Sequence, residues 1–217
     1  MQRIVGHGLS ISLDGFAAGP DQSHEAPLGV GGEKLHEWAF ATRSMRHLHG
    51  MEGGDEDSVD DRWARRSLEG IGATIVGRNM FGPVRGAWGD SGWRGWWGDA
   101  PPFHHPVFVL THHAREPLEM QGGTTFHFVD GADAALDSAR EAAGGLDVRV
   151  AGGATTVRQF LAIGAFDELH VAIVPVLLGR GTPLFGHGLD LTEHYEVARW
   201  EAGERAHHVL LARTQRD

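Results

Sequence analysis

Short runs of apolar residues recur along the chain, and their spacing alternates between that of strands and that of helices. Strand-like runs rich in β-branched and aliphatic residues lie at 4–13, 73–76, 107–111, 124–129, 148–152, 168–174, 195–200 and 207–212. Helix-like spacing lies at 33–48, 58–68, 77–81, 131–143 and 153–164. Because strands alternate with helices between residues 70 and 175, the pattern predicts an α/β fold with a mostly parallel sheet. The last two runs predict an antiparallel hairpin at one end of that sheet.

Two segments lack a clear period. Residues 20–57 are irregular, with a glycine-rich turn, a helical stretch and an acidic, glycine-rich end. An excursion of this length suggests a lid or binding loop, and a surface insert is the alternative. Residues 83–106 form a predicted loop that contains Trp88, Trp93, Trp96 and Trp97. These rings either line a pocket for a flat ligand or serve as packing or a subunit interface.

Length and charge narrow the class of protein. A chain of 217 residues predicts one domain, residues 1–217, with 20–57 as its insert. The formal charge of −10 argues against nucleic acid as a partner, because phosphate binding needs a basic surface. The chain has no cysteine, so disulfides and thiolate metal sites are excluded. No signal peptide or long apolar run appears, so we expect a cytoplasmic protein without membrane contact.

A strand, a glycine pair and a helix follow one another at residues 148–161. The strand breaks at Gly152-Gly153, and the helical pattern begins with Ala154-Thr155-Thr156. This arrangement points backbone N–H groups and the positive end of a helix dipole at one place, which favours an anion.

Polar residues follow two more of the predicted strands. They are Gly77-Arg78 and Thr111-His112. In a parallel sheet such strand ends share one edge, so with the glycine pair they indicate an extended polyphosphate ligand. Purely structural turns are the alternative, because short motifs often match by chance.

Six segments together resemble a known family. They are Ser12-Leu13-Asp14-Gly15-Phe16, Gly77-Arg78, Leu110-Thr111, Gly152-Gly153, Asp167-Glu168 and the run PVLLGRGTPLF at 175–185. The chain is similar over nearly its whole length to dihydrofolate-reductase-like proteins, and more so to the reductase domain of the bifunctional riboflavin-biosynthesis deaminase-reductase. The deaminase signature requires cysteine, which the chain lacks. The resemblance therefore implies a stand-alone reductase domain with a three-layer, dihydrofolate-reductase-like fold.

The resemblance also implies NADPH as cofactor and assigns residues to it. Gly77, Arg78 and Asn79 are expected to face cofactor phosphates. Thr111 and His112 are expected near the adenosine ribose and its 2′-phosphate. The pyrophosphate is expected at the Gly152-Gly153 turn, which the family forms with a cis peptide, and at the helix start that follows, namely Gly153, Ala154, Thr155 and Thr156.

Two carboxylates are candidate catalytic residues. Asp14 lies where the family's mobile active-site loop begins, although an Asp before Gly15 is also an ordinary turn residue. Asp61 precedes Gly77 by sixteen residues, a spacing similar to that of the dihydrofolate reductases' helix carboxylate. The alternative is that Asp60 and Asp61 only complement the dipole at a helix start that Ser58 caps.

The leading hypothesis is an NADPH-dependent reductase of a small, heterocyclic substrate, either pyrimidine-like or pterin-like. A non-catalytic nucleotide-binding domain on the same fold is the alternative. Members of the resembled family often pair, so a homodimer is expected. The fifteen histidines raise a third hypothesis, a metal-dependent hydrolase, but their pairs lack metal-ligand spacing and no metal site is expected.

Overall fold

The chain forms a large sheet covered by helices. The computed structural model describes residues 1–82, 86–89, 92–186 and 188–214. The strands are β1 (Ile4–Ser12), β2 (Phe16–Ala18), β3 (Ile71–Gly77), β4 (Pro106–Leu110), β5 (Leu118–Glu119), β6 (Thr125–Val129), β7 (Asp147–Gly152), β8 (Glu168–Val174), β9 (Thr182–Pro183), β10 (Tyr195–Ala202) and β11 (His207–Arg213). The helices are α1 (Glu37–Phe40), α2 (Arg43–Leu48), α3 (Val59–Arg66), α4 (Arg78–Phe81), α5 (Ala132–Ala142) and α6 (Ala154–Ala162).

Nine strands form the main sheet in the order β10-β11-β8-β1-β7-β3-β4-β6-β5. The six from β8 to β6 run parallel, and the hairpin of β10 and β11 adds antiparallel strands at one edge. The predicted α/β class, the mostly parallel sheet and the closing hairpin are therefore confirmed. The short antiparallel strand β5 and the separate β2–β9 pair were not predicted.

Alternate residues of the central strands face two different apolar layers. Ile75 and Val150 face a core that includes Phe160 of α6 and Ala139 of α5. On the opposite face, Trp38 and Trp63 form a core with the strand residues Ala172 and Val174. A second core on that face joins Phe81 and Phe126 with part of the tryptophan-rich loop. Helices therefore cover both faces of the sheet, as a parallel sheet requires.

On this second face of the sheet, two neighbouring strands carry polar residues between the two apolar cores. On β1, Ser10 and Ser12 alternate with the buried Leu9 and Ile11. On β7, Arg149 lies between Val148 and Val150, both of which are fully buried on the first face. Side chains of adjacent strand residues point to opposite faces, so these polar groups face the α1–α3 side.

Helix α3 begins where the sequence predicted. Ser58 is its N-cap, and its hydroxyl accepts a hydrogen bond from the backbone N–H of Asp61 at 3.0 Å. Asp60, Trp63 and Ala64 are all buried. In the described part of the chain, no helix is long and apolar enough to span a membrane.

Candidate active site at the carboxyl ends of the strands

The three strand ends that the sequence singled out lie side by side. In the sheet register, Val76 of β3 pairs with Gly152 of β7, and Gly77 pairs with Leu110 of β4. The segments that follow these strands therefore begin side by side, at the carboxyl-terminal edge of the sheet. Strand β7 is also inserted between β1 and β3, which creates the change of strand order at which α/β sheets bind ligands.

The glycine turn after β7 leads directly into helix α6. The peptide bond between Gly152 and Gly153 is cis, as predicted. Gly152 has a φ of 136°, which L side chains rarely adopt, so glycine is required there. Gly153 is the N-cap of α6, and Val157 N–H donates to its carbonyl at 3.1 Å. The first backbone N–H groups of a helix lack partners within it, so this end favours an anion.

Gly77 lies in close contact with that helix start. A Cβ atom at Gly77 would clash with Thr156 Oγ1 and would lie 3.2 Å from the backbone nitrogen of Gly153. The ends of β3 and β7 can therefore approach each other only because residue 77 has no side chain.

Substituting Gly77→Ala is expected to lower the free energy of unfolding by about 1–3 kcal/mol, because a methyl group would be forced into a filled space. Gly153→Ala is the matched control, since its φ is −72° and no atom lies within 4 Å of the position that the new methyl group would take. Urea denaturation of both variants measures the difference. Equal stability of the two would contradict the close contact.

Arg78 and Thr111 connect the ends of β3 and β4. The Arg78 guanidinium donates to Thr111 Oγ1 at 3.0 Å and lies 3.0 Å from the ring centroid of Trp88. Arg115 is 4.9 Å from the same ring. Burial, together with the positive charge of Arg115, lowers the pKa of Arg78 to about 10, so its side chain remains a cation at neutral pH. Two guanidinium groups around one indole make this edge of the sheet electropositive.

Three further predicted cofactor residues lie at the surface of this edge. Asn79 is exposed in the first turn of α4, and Thr155 is exposed in the first turn of α6, where its hydroxyl accepts from Arg158 at 3.1 Å. His112 is 89% exposed, and its Nδ1 is 2.7 Å from the Asp130 carboxylate. The Asp130 carboxylate places a negative charge beside His112, which disfavours a phosphate at this position.

Asp14 joins the end of β1 to the loop after β8. Its carboxylate accepts hydrogen bonds from Ser12 Oγ at 2.6 Å and from the backbone N–H groups of Leu178 at 3.1 Å and Gly179 at 2.6 Å. The bond from Ser12, followed by those from the backbone, lowers the pKa of Asp14. Asp14 thus orders the loop beside the candidate site, and its predicted contact with substrate stays a prediction.

Asp61 connects helices α2 and α3. Its Oδ1 accepts from the backbone N–H of Ser44 at 2.8 Å, and its Oδ2 accepts from that of Asp57 at 3.4 Å. Burial alone would raise the pKa of Asp61, but these hydrogen bonds outweigh it and lower the pKa. Both oxygens are engaged by the protein, so the predicted catalytic role of Asp61 gains no support from its contacts.

The neighbouring Asp60 is buried like Asp61, and it starts a chain of buried polar side chains. Its Oδ1 is 2.8 Å from His208 Nε2, and His208 Nδ1 is 3.0 Å from His170 Nε2. His170 Nδ1 accepts from Gly8 N–H at 3.2 Å. The Gly8 N–H can only donate, so His170 Nδ1 is the acceptor and the proton of this imidazole is on Nε2. His170 Nε2 therefore donates to His208 Nδ1, and His208 Nε2 in turn donates to Asp60. The sequence held a signal for this: Asp60 shares the i, i+3, i+4 spacing of Trp63 and Ala64.

Comparison with known proteins identifies the family of this chain. Residues 5–208 match the family described as the RibD C-terminal domain. The chain belongs to the RibD C-terminal domain family. Membership supports a reductase-type function for this chain, in line with the resemblance noted in its sequence.

Two solved structures are similar to this RibD C-terminal domain. One, from Shewanella sp. PV-4, carries a name that assigns it to riboflavin biosynthesis. It is 21% identical, with a TM-score of 0.58 over 99% of this chain and 100% of its own, and so shares the fold. The other is dihydrofolate reductase from Enterococcus faecalis complexed with NADP(H) and RAB-propyl. It is 15% identical, with a TM-score of 0.46 over 68% of this chain and 77% of its own. No curated protein matches in sequence.

In this RibD C-terminal domain, the tryptophan-rich loop packs against the sheet and meets the 20–57 insert. Trp88, Trp93 and Trp97 pack on the core around Phe81, so packing accounts for much of their burial. The ring of His24 lies 5.5 Å from Trp93 and 5.7 Å from Trp96. The two predicted loops are therefore in contact, although residues 83–85 and 90–91 of the second lie outside the described residues.

The histidine pairs do not converge. Within 1–82, 86–89, 92–186 and 188–214, no three His, Asp or Glu side chains are placed to share a metal ion. His208 faces Asp60 in the interior, whereas its sequence neighbour His207 is exposed on the other face of β11.

Proposed function

We propose that this protein is an NADPH-dependent reductase that transfers a hydride to a small heterocyclic substrate, pyrimidine-like or pterin-like. The observation that carries the proposal is the contact of Gly77 with Gly153 and Thr156 beside the Arg78–Thr111 pair. This contact joins a helix N-terminus to a cationic strand end, which suits a ligand with two separated phosphate groups.

The chain's own residues would divide the binding between them. The first N–H groups of α6 would hold the pyrophosphate, with Gly153 leaving room for it. Arg78 would bind the 2′-phosphate, with Thr111 orienting the guanidinium. Bound NADPH would supply the hydride. Asp14 would position the loop at residues 178–179 against the end of β1, next to the space that the substrate needs.

The substrate would bind between the polar face of β1 and the two loops that meet at His24, which are the 20–57 insert and the tryptophan-rich loop. Trp38 Nε1 donates to Ser10 Oγ at 2.9 Å, and Ser12 Oγ is bonded to Asp14, so this face is polar and ordered. The contact of His24 with Trp93 and Trp96 would let the 20–57 insert cover a flat substrate and exclude water.

Titration with NADPH, followed through tryptophan fluorescence, tests cofactor binding. Trp88 lies on Arg78, so we expect its emission to change when the nucleotide binds. A panel of pyrimidine and pterin substrates then tests for NADPH oxidation, followed by the loss of its absorbance. No response to NADPH or NADH would refute the proposal, and binding without turnover across the panel would favour the non-catalytic alternative.

Arg78→Ala is expected to weaken NADPH binding by about 10-fold to 100-fold, the amount that a charge-assisted hydrogen bond supplies. NADH lacks the 2′-phosphate, so its affinity should change far less. Arg140→Ala removes the same charge from the exposed side of α5 and serves as the control. Equal losses for NADPH and NADH would place Arg78 away from the 2′-phosphate.

Gly153→Ala separates binding from folding. The methyl group has room in the protein alone, so we expect stability to change by less than about 1 kcal/mol. The same methyl group would occupy space needed by the pyrophosphate, so NADPH binding should fall to undetectable levels. Wild-type affinity in this variant would mean that the nucleotide does not lie on the turn.

A further inference from the structure

A cleft lies away from the candidate active site, at the other end of the sheet. It has a volume of about 470 Å³, which is within the range of small-molecule sites. Its walls come from the start of β3, the segment before β4, the end of α5 and the end of α2. These are the amino ends of the strands, whereas the Gly152–Gly153 turn lies at their carboxyl ends.

Most of the lining residues are apolar, although polar atoms expose about as much surface to the cleft as apolar atoms do. The apolar walls include Leu48, Leu68, Phe103 and Leu146. The polar side chains are His104, His105 and Arg149. No carboxylate lines the cleft among the residues that the structure describes.

Arg149 is the cation of this cleft, and its hydrogen bonds are incomplete. Its guanidinium donates to the carbonyl oxygen of Ser67, at the end of α3, at 2.9 Å. Its Nε is buried and has no acceptor. Throughout the described ranges, no Asp or Glu forms an ion pair with Arg149. A desolvated guanidinium without a counter-ion costs free energy, which a bound anion would offset.

The neighbours of Arg149 are arranged as a row of donors and acceptors across the sheet. Thr74 of β3 is the register partner of Arg149, and its hydroxyl is 2.7 Å from His105 Nε2. Burial and the charge of Arg149 lower the pKa of His105 to about 4. His105 is therefore neutral at physiological pH, and Arg149 supplies the fixed positive charge of the row.

We propose that this cleft binds a small carboxylate with an apolar body, with the carboxylate on Arg149 and the body against Leu48, Phe103 and Leu146. A guanidinium has five N–H donors and pairs with carboxylates in a fork geometry, so a second acceptor can be accommodated beside Ser67. The apolar walls favour a ligand with a ring or a branched chain over a bare inorganic anion.

This site is separate from the proposed cofactor site. Arg149 precedes Gly152 by three residues of an extended strand, which places their Cα atoms about 10 Å apart. Carboxylate binding at Arg149 therefore does not depend on NADPH. An experiment can refute this binding without refuting the proposed reductase function, and the reverse is also true.

Benzoate and its neutral isostere benzamide are suitable probes, and isothermal titration calorimetry on the whole chain measures their binding. We expect benzoate to bind at least about tenfold more tightly than benzamide, since the charged pair is the stronger one. Arg149→Met should remove that preference, while Arg149→Lys should keep part of it. Arg140→Met, an exposed charge outside the lining, and Arg78→Ala, at the other edge, should leave benzoate binding unchanged.

Thermal melting of Arg149→Met shows whether the variant is folded, and Arg149→Lys covers the case in which it is not. The proposal is overturned if benzoate does not bind at millimolar concentrations or if benzamide binds equally well. It is also overturned if Arg149→Met or Arg149→Lys leaves the preference intact, or if Arg78→Ala abolishes it. Inorganic phosphate binding as tightly as benzoate would refute the role of the apolar walls.

Discussion

Asp60→Asn is expected to lower the free energy of unfolding by about 2–4 kcal/mol, because it breaks a buried chain of hydrogen bonds. Both carboxylate oxygens accept: Oδ1 from His208 Nε2 at 2.8 Å and Oδ2 from Arg205 N–H at 2.9 Å. An amide would turn one acceptor into a donor that faces another donor. The side chains of Asp60 and His208 are fully buried, so water cannot replace the lost bond.

Urea denaturation monitored by tryptophan fluorescence measures this effect, since Trp63 stacks on His170 with ring centroids 4.3 Å apart. Asp137→Asn, the same change at an exposed position of α5, is the control and should alter stability by less than about 0.5 kcal/mol. If the two variants are equally stable, the Asp60–His208 bond contributes nothing net to the fold.

The second large effect is a loss of stability on acidification. Burial, followed by the positive charges that His208, His7 and Arg66 can carry, holds the pKa of His170 well below 6.5. Burial also lowers the pKa of His105 to about 4. In the unfolded chain both groups titrate near their ordinary pKa of about 6.5, so below that pH the unfolded state binds protons that the folded state does not.

Stability is therefore fully present above about pH 6.5 and falls as the pH decreases. Each histidine that stays neutral contributes a slope of at most about 1.4 kcal/mol per pH unit, and His105 ceases to contribute near pH 4. Below about pH 4.5 a carboxylate adds to the loss: hydrogen bonds from His7 and Arg66 lower the pKa of Glu168 to about 2.

Urea denaturation at several pH values between about 5 and 7.5 gives the slope of the unfolding free energy against pH. His105→Gln should reduce this slope by the contribution of one histidine, which is at most about 1.4 kcal/mol per pH unit. His113→Gln, at an exposed position, is the control and should leave the slope unchanged. A free energy of unfolding that does not vary across this pH range would show that both histidines titrate alike in the folded and unfolded states.

Local features of the candidate site could be predicted because they depend on neighbouring residues. The start of α6 and the Ser58 cap both lie within a few residues of the signal that indicates them. The cis peptide at Gly152-Gly153 was expected from the family resemblance instead. The helical pattern also predicted buried positions at Asp60 and Asp61, which lie three residues before Trp63 and Ala64 respectively. The pattern did not indicate their partners, because spacing along a chain does not determine which way a side chain points. The catalytic role suggested for Asp61 by its sixteen-residue spacing to Gly77 stays a prediction.

The sequence by itself determined the alternation of strands and helices, the closing hairpin and the turn that begins α6. Periodicity and turn chemistry act over a few residues, so they can be read without knowledge of the rest of the chain. Only the tertiary structure decided that β7 lies between β1 and β3, that Asp60 meets a histidine 148 residues away, and that Arg149 faces a cleft whose described lining has no carboxylate. These contacts follow from which strands and helices bury each other's apolar surface, and that choice depends on the whole chain.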